Sequence, residues 1–486
     1  MIVMKFGGTS VEDASAIERV TGIVRSRSAE APVVVVSALA KVTDQLLAAG
    51  QTAATGDRDA ALESCQALRQ RHRRTACELF PGTHFSQLQS ALESQFDLLR
   101  ELLARIAALQ DLTPRSIDCL LSFGELLSSE IVTAALIASG LPAECVDARE
   151  CIITDCAHTR AAPLFEETRA RLEARLRPLI GRELIPVMGG FIGSTLDGIP
   201  TTIGRGGSDY SASIVGAAMQ AERIEIWTDV PGLMTTDPGL CPEAYLIEQI
   251  SFEEAAELAS FGAKVLHPAT LLPAIEKNIP VCVLNSRDPA GKGTWIRSHI
   301  AGNGYPVRAI AAKRNTTIVN VAGERAWIPR GFLREVLAVC DRHDCQVDIV
   351  ASSQVSISLA VESGSATPEL VADLERFAQV SCEPRQAIVS VVGENLRGRK
   401  GIAARVFGSV AAAGVNVRMI SQGASEINIA FVIQEEDVPV AVRRLHTDLF
   451  AETNDEWQWL ESATVVHQRP TECTRLRPGA NENGDI

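Results

Sequence analysis

Two stretches hold residues whose types and spacing suit the binding of a phosphate or a carboxylate. The first is Lys5-Phe6-Gly7-Gly8-Thr9-Ser10. Residues without a Cβ let backbone amides approach an anion closely. A helix opening just beyond adds free N–H groups and the positive end of its dipole. Thr9 or Ser10 is the expected cap of that helix, which should run from about Glu12 to Arg27. The second stretch is Gly204-Arg205-Gly206-Gly207-Ser208-Asp209. Its glycines permit close backbone approach and its guanidinium offers a carboxylate fork, while Ser208 or Asp209 is placed to cap the next helix. Neither stretch is a Walker A loop or a Gly-x-Gly-x-x-Gly dinucleotide turn. On its own, the first also reads as a tight strand-to-helix turn with a surface lysine.

The surrounding elements explain how such residues would be held. Val33–Val36 is a continuous β-branched run, which suits a strand buried on both faces of a parallel sheet. It ends at Ser37, with Thr43 and Asp44 before another helix. Residues from about 57 to 109 carry helical spacing and form a supporting layer, in which His72 and His84 read as solvated. Gly124-Glu125 reads as a carboxylate at a loop-to-helix junction, or as a plain first-turn glutamate favoured by the dipole. Met188-Gly189-Gly190, Trp227-Thr228-Asp229 and Val281–Leu284 mark further strands and strand ends. Strand–loop–helix units of this kind predict a doubly wound α/β sheet with helices on both faces, its site at the carboxyl ends of the strands.

Composition removes several function classes. The 486 residues carry a net charge of −14, which argues against a nucleic-acid partner. Anionic ligands must be held by local devices. The 12 cysteines are scattered, and although Cys151/Cys156 and Cys340/Cys345 share a spacing, no zinc set is completed. Reduced thiols, no signal peptide and no long apolar run predict a cytoplasmic protein with no membrane association.

Past residue 300 an internal repeat appears. Gly331–Leu337, Val347–Val350 and Val355–Leu359 match Gly401–Phe407, Val417–Ile420 and Ile427–Phe431. The expected organisation is a first domain over 1–298 and two repeats over 305–384 and 385–466, with interleaving left open. A disordered tail is expected over 468–486.

Together these motifs resemble those of aspartate kinases (aspartokinases), members of the amino-acid kinase family, and most closely the monofunctional lysine-sensitive type. The resemblance rests on Lys5–Ser10, Gly204–Asp209, Trp227–Asp229 and Phe261-Gly262-Ala263-Lys264-Val265-Leu266-His267-Pro268, in that order, and covers all but about the last twenty residues. It implies a carbamate-kinase-like sheet followed by two ferredoxin-like ACT domains. It also implies transfer of the ATP γ-phosphoryl group to the β-carboxylate of L-aspartate, as the first step toward lysine, threonine and methionine. By the same resemblance, Lys5 and Asp209 are catalytic. Phe6, Gly7, Gly8, Thr228, Asp229 and Lys264 join Lys5 on ATP, and Ser37, Thr43, Glu125, Arg205 and Ser208 hold the acceptor. Mg²⁺ would travel with the ATP, with no ligand set from protein side chains.

Feedback by lysine, threonine or both is implied through the first repeat, at Phe332, Leu333, Val347, Asp348, Ser352, Ser353, Gln354 and Val355. A homodimer or larger homo-oligomer is expected. The sequence departs from lysine-sensitive relatives in five places: Met234 stands for Tyr, Gly239 for Arg and Gln354 for Glu, while Ala326 and Pro329 replace a larger and a hydroxyl residue. Two other readings compete: a kinase for another carboxylate, and a non-catalytic amino-acid sensor with a degenerate kinase domain. No fused homoserine dehydrogenase is expected beyond Pro470.

Overall fold

The computed structural model describes residues 1–80, 86–204, 206–262, 268–298, 300, 306–323, 330–423 and 427–450. The expected linker at 301–305, His84 and the expected tail lie outside these residues.

The strands are β1 (Ile2–Phe6), β2 (Pro32–Val36), β3 (Ala143–Val146), β4 (Ile185–Gly189), β5 (Ile192–Ser194), β6 (Pro200–Thr202), β7 (Ile224–Thr228), β8 (Gln249–Ser251), β9 (Val281–Asn285), β10 (Thr294–Arg297), β11 (Val307–Ala322), β12 (Val347–Ser352), β13 (Ser356–Glu362), β14 (Gln379–Gly393), β15 (Met419–Ser421) and β16 (Asn428–Gln434). The first large sheet runs β3-β4-β2-β1-β7-β9-β10-β8, parallel throughout except between β9 and β10. The order reverses around β1, the first strand laid down, so the first glycine turn opens at the centre of the sheet.

Period-two alternation divides β1. Ile2, Met4 and Phe6 enter one apolar cluster with Val34 and Val36, whereas Val3 enters the opposite cluster with Val33 and Val35. Lys5 shares the parity of Val3. The helices are α1 (Ala14–Ser26), α2 (Val42–Ala54), α3 (Arg58–Leu79), α4 (Ser86–Leu109), α5 (Pro114–Ala138), α6 (Ala148–Cys151), α7 (Phe165–Gly181), α8 (Gly207–Met219), α9 (Phe252–Ser260), α10 (Leu272–Glu276), α11 (Phe332–Arg342), α12 (Pro368–Glu375), α13 (Ile402–Ala412) and α14 (Val438–Phe450). Helix α8 contributes Ala212, Ile214 and Val215 to the cluster on Val3's side.

Three local readings need correction. Helix α1 is capped by Asp13, whose Oδ1 accepts from the Ala16 amide at 2.8 Å, and not by Thr9 or Ser10. Those two residues sit in a short 3-10 turn, where Ser10 Oγ donates to Ser286 Oγ at 2.9 Å. His72 is fully buried, not solvated. Its ring contacts Phe96 edge-on, its Nδ1 meets the Leu68 carbonyl at 2.8 Å, and burial pushes its pKa down to about 4. Gly124 and Glu125 lie in the middle of the 25-residue helix α5, not at its start. The helix begins at Thr113-Pro114, a side-chain cap followed by proline at the first position. Gly124 is there for contact: a Cβ would sit 2.8 Å from that of Ala38. Helix α5 is also apolar enough and long enough to cross a membrane, but most of it is buried in the fold.

The repeats form one six-stranded antiparallel sheet, β12-β13-β11-β14-β16-β15. Residues 316–322 of β11 pair with β13 and with the start of β14, while residues 307–313 pair with the end of β14. That end of β14 also pairs with β16. Residue 384 therefore lies within a strand that runs through both repeats. Residues of this sheet, among them Ile318, Ile349, Ile388 and Val432, join the first sheet's own core on the Val3 side.

Candidate active site

A cleft of about 390 Å³ opens at the carboxyl ends of β1 and β2. Its walls include Lys5, Gly8, Ser37, Thr43, Glu125, Ser208 and Asp209, which the sequence separates by up to two hundred residues. The Ser37 amide donates to the Phe6 carbonyl at 3.0 Å and the Ala40 amide to the Gly8 carbonyl at 3.1 Å, so the two strand-end loops are laced together. A Cβ on Gly8 would stand 3.0 Å from the Ala38 carbonyl oxygen. The cradle therefore depends on glycine there.

Lys5 is 8% exposed and its Nζ lies 2.7 Å from Asp209 Oδ1. The parity of β1 aims Lys5 at the face covered by α8, and Asp209 lies in the first turn of that helix. Gly206, at φ +71°, is the N-cap, and no side chain caps the helix. Ser208 and Asp209 thus do not cap as the sequence suggested; the Asp209 carboxylate is committed to Lys5. Gly204, at φ +78°, holds the other side of position 205 in the left-handed region that favours glycine. Arg205 itself and Lys264 lie outside the described residues.

Glu125 reaches the cleft from the middle of α5. Its Oε1 accepts from the Ala38 amide at 3.1 Å, while Oε2 has no partner among the described residues. Burial pushes its carboxyl up to about 8, with the Ala38 hydrogen bond pulling the other way. A buried carboxylate with one free oxygen suits a cationic group entering from the cleft.

On the other side of β1, the Gly7 amide donates to the Trp227 carbonyl at 3.1 Å. Thr228 and Asp229 follow at that strand end, bonded to each other at 3.2 Å and standing outside the cleft walls. Phe6 offers backbone only, because its ring is buried and stacked on Trp227. Met234 makes a short β-bridge with Leu246, and Gly239 donates its amide to Asp237 Oδ1 at 2.8 Å.

Residues 1–285 match the model of the amino acid kinase family, and residues 389–449 match an ACT domain. The lysine-sensitive aspartokinase 3 of Escherichia coli is 36% identical over 462 residues, covering 93% of this chain and 99% of that protein. The chloroplastic aspartokinase 2 of Arabidopsis thaliana is 37% identical over 463 residues, covering 92% and 84%. The chain belongs to the aspartokinases. The structure of E. coli aspartokinase III with aspartate and ADP, in its R-state, superposes with a TM-score of 0.79 at 36% identity, over 93% of this chain and all of that one. The same enzyme with lysine and aspartate, in its T-state, gives 0.78 at 35% identity, over 93% and 99%.

In this aspartokinase two cleft residues escaped sequence reasoning. Phe191 lines the cleft at φ +63°, its amide N–H donating to Ser211 Oγ at 2.9 Å. Lys41 lines it at φ +67°. No local sequence signal marks either, since bulky residues rarely take that conformation. Behind the cleft, and equally unforeseen, is Asp118, fully buried in α5, which accepts from Thr202 Oγ1 at 2.6 Å, from the Thr159 amide at 3.0 Å, and bonds His158 Nδ1 at 2.7 Å. It ties the loop beneath Gly204 to the core helix; four-residue spacing from Ser122 and seven from Glu125 on one helix was the available clue.

The residues expected at an effector site divide. Leu333, Ser352, Ser353, Gln354 and Val355 are exposed, and Val347 is half-buried. Phe332 is not open to a ligand: its ring is buried in the first repeat's core against Phe377. The Asp348 carboxylate is not free either, since Lys313 Nζ lies 2.7 and 2.6 Å from its two oxygens. Ala326 and Pro329 lie outside the described residues.

Proposed function

We propose that this aspartate kinase runs its reaction in the cleft between the two laced strand-end loops. An oxygen of the substrate β-carboxylate attacks the γ-phosphorus of ATP. The bond from that phosphorus to the bridging oxygen breaks, and its electron pair leaves on ADP. The carboxylate is already ionised at neutral pH, so no general base is required. What remains is to bring two anions together and offset the spreading charge.

Lys5 supplies a cation at the transferring group, held in place by Asp209. Gly7, Gly8 and their neighbours cradle phosphate oxygens, joined there by Lys264, with Thr228 and Asp229 toward the nucleoside. Ser37, Thr43, Ser208 and Arg205 hold the acceptor, and Glu125 takes its ammonium on the free Oε2. The fit to ATP is supported by the cradle at Gly8, which a side chain would fill. Mg²⁺ would be held chiefly by the phosphates with water around it, since one of the cleft's carboxylates, Asp209, already serves Lys5. The observation that carries the reading is the Lys5–Asp209 pair facing Glu125's unpaired oxygen across one cleft. It also disfavours a degenerate kinase domain acting only as a sensor.

Feedback by lysine, threonine or both through the ACT region, a homodimer or larger assembly, and a cytoplasmic location complete the proposal. The lysine-bound relative supports the first of these. The deciding experiment is an ADP-release assay with aspartate, repeated with lysine, threonine and both. Aspartate-dependent release slowed by one of the effectors is expected. Release with glutamate but not aspartate would overturn the acceptor assignment.

A further inference from the structure

Lys41 occupies a backbone conformation that its side chain makes unfavourable. It is the N-cap of α2 at φ +67°, ψ 0°, where glycine is at ease and a long side chain is not. Twelve described residues other than glycine have positive φ, so the angle alone means little. Position separates this one: only Lys41 and Phe191 of the twelve line the cleft, and only Lys41 is charged. The loop that carries it is firmly held. The Ala40 amide donates to Gly8, the Arg71 guanidinium donates to the Ala40 carbonyl at 2.8 Å, and the Gln45 amide returns to the Lys41 carbonyl at 3.1 Å. The ammonium is not held at all: Lys41 is exposed and has no ion pair among the described residues.

The cleft's other described cation, Lys5, is already offset by Asp209. The reactants bring several more negative charges. We propose that Lys41 is a second catalytic cation, whose ammonium folds over the cleft mouth onto the oxygens of the transferring phosphoryl group. The 37–41 loop is bonded to the glycine turn, so Lys41 keeps its distance from the phosphate cradle whatever the rest of the chain does. This assignment rests on the cleft being the phosphoryl-transfer site. It predicts that activity and stability pull in opposite directions at one residue.

The test compares Lys41→Gly, Lys41→Met and Lys41→Arg in the full chain by thermal melting and by ADP release, with aspartate and ATP varied in turn. Lys41→Gly should melt at or above the wild-type temperature while kcat falls by about 10- to 100-fold, as expected for loss of one electrostatic contact made in the transition state. Lys41→Met should lose as much, and Lys41→Arg should keep kcat within about threefold. KM for aspartate should move little. Turnover of the Gly and Met variants within about twofold of wild type, or a loss confined to KM for aspartate, would overturn the assignment. So would a lower melting temperature for Lys41→Gly, since the side chain would then be supporting the fold. If the wild type itself showed no aspartate-dependent release, the reading of the cleft would fall with it; if only the variants behaved as wild type, Lys41 alone would be misassigned.

Discussion

The Lys5 ammonium lies 2.7 Å from the Asp209 carboxylate, joining the first strand of the chain to a helix two hundred residues later. The pair is largely buried yet opens on the cleft, so the two roles of Lys5 can be separated. Lys5→Met should lower kcat by about 10²- to 10³-fold. It should also cost about 1–3 kcal/mol of stability, because Asp209 is left without its partner. The double variant Lys5→Met/Asp209→Asn should recover most of the stability and none of the turnover. Melting curves and ADP release, measured on the same preparations, check both halves.

Glu125 predicts a pH dependence. Its folded pKa, about 8, lies above the 4.5 of an exposed glutamate. Its contribution to stability is therefore complete below pH 4.5 and is lost as pH rises through about 8. Glu125→Gln should flatten that part of the stability profile. In the proposed role the ionised form receives the aspartate ammonium, so KM for aspartate should fall as pH rises toward 8, with proton release on binding detectable in buffers of different ionisation enthalpy. A KM profile identical in Glu125→Gln would exclude this role.

Asp118 touches no part of the cleft, but it anchors Thr202 and Thr159 beneath Gly204. Asp118→Asn keeps the shape and loses one acceptor oxygen's charge. KM for aspartate should rise more than KM for ATP, because the proposed acceptor side is the one that Gly204, Gly206 and Gly207 line. Equal changes in both would indicate a general loss of folding.

Feedback should depend on contacts between the two sheets. The Ile310 amide donates to the Thr235 carbonyl at 2.7 Å, and Thr235 Oγ1 meets His446 Nε2 at 2.9 Å. His446→Ala should raise the effector concentration for half-inhibition by roughly 2- to 30-fold with uninhibited turnover little changed. Lys313→Met tests whether Asp348 belongs to an effector site: it frees Asp348, and an effector that must displace Lys313 should then bind more tightly, read by calorimetry.

Much of the cleft was legible because its requirements are written in residue type. Glycine at 7, 8, 204, 206 and 207 states a backbone need, and Lys5 at a strand end states a charge. Glu125 was legible as a carboxylate but misplaced, because glycine was taken as a helix boundary when it served close contact with Ala38. The burial of His72 was hidden, since it depends on Phe96 from a different helix. Lys41 and Phe191 gave no signal because nothing in a side chain announces a left-handed backbone. The interleaving of the repeats was open in the sequence because polar residues break both strands, at 313–317 in β11 and at 383–386 in β14, and only pairing shows that each is one strand serving both repeats.

Val432, Ile388 and Ile349 of the repeat sheet share a core with Val3 and Val35 beside Lys5. Regulation here is consequently not a detachable accessory. A truncated catalytic portion would present a wide oily face to water and should precipitate rather than persist as an unregulated enzyme. A graft exchanging sensor halves between relatives would have to rebuild that shared interior as well. Relief of feedback is more readily reached through point changes at the seam than by recombination.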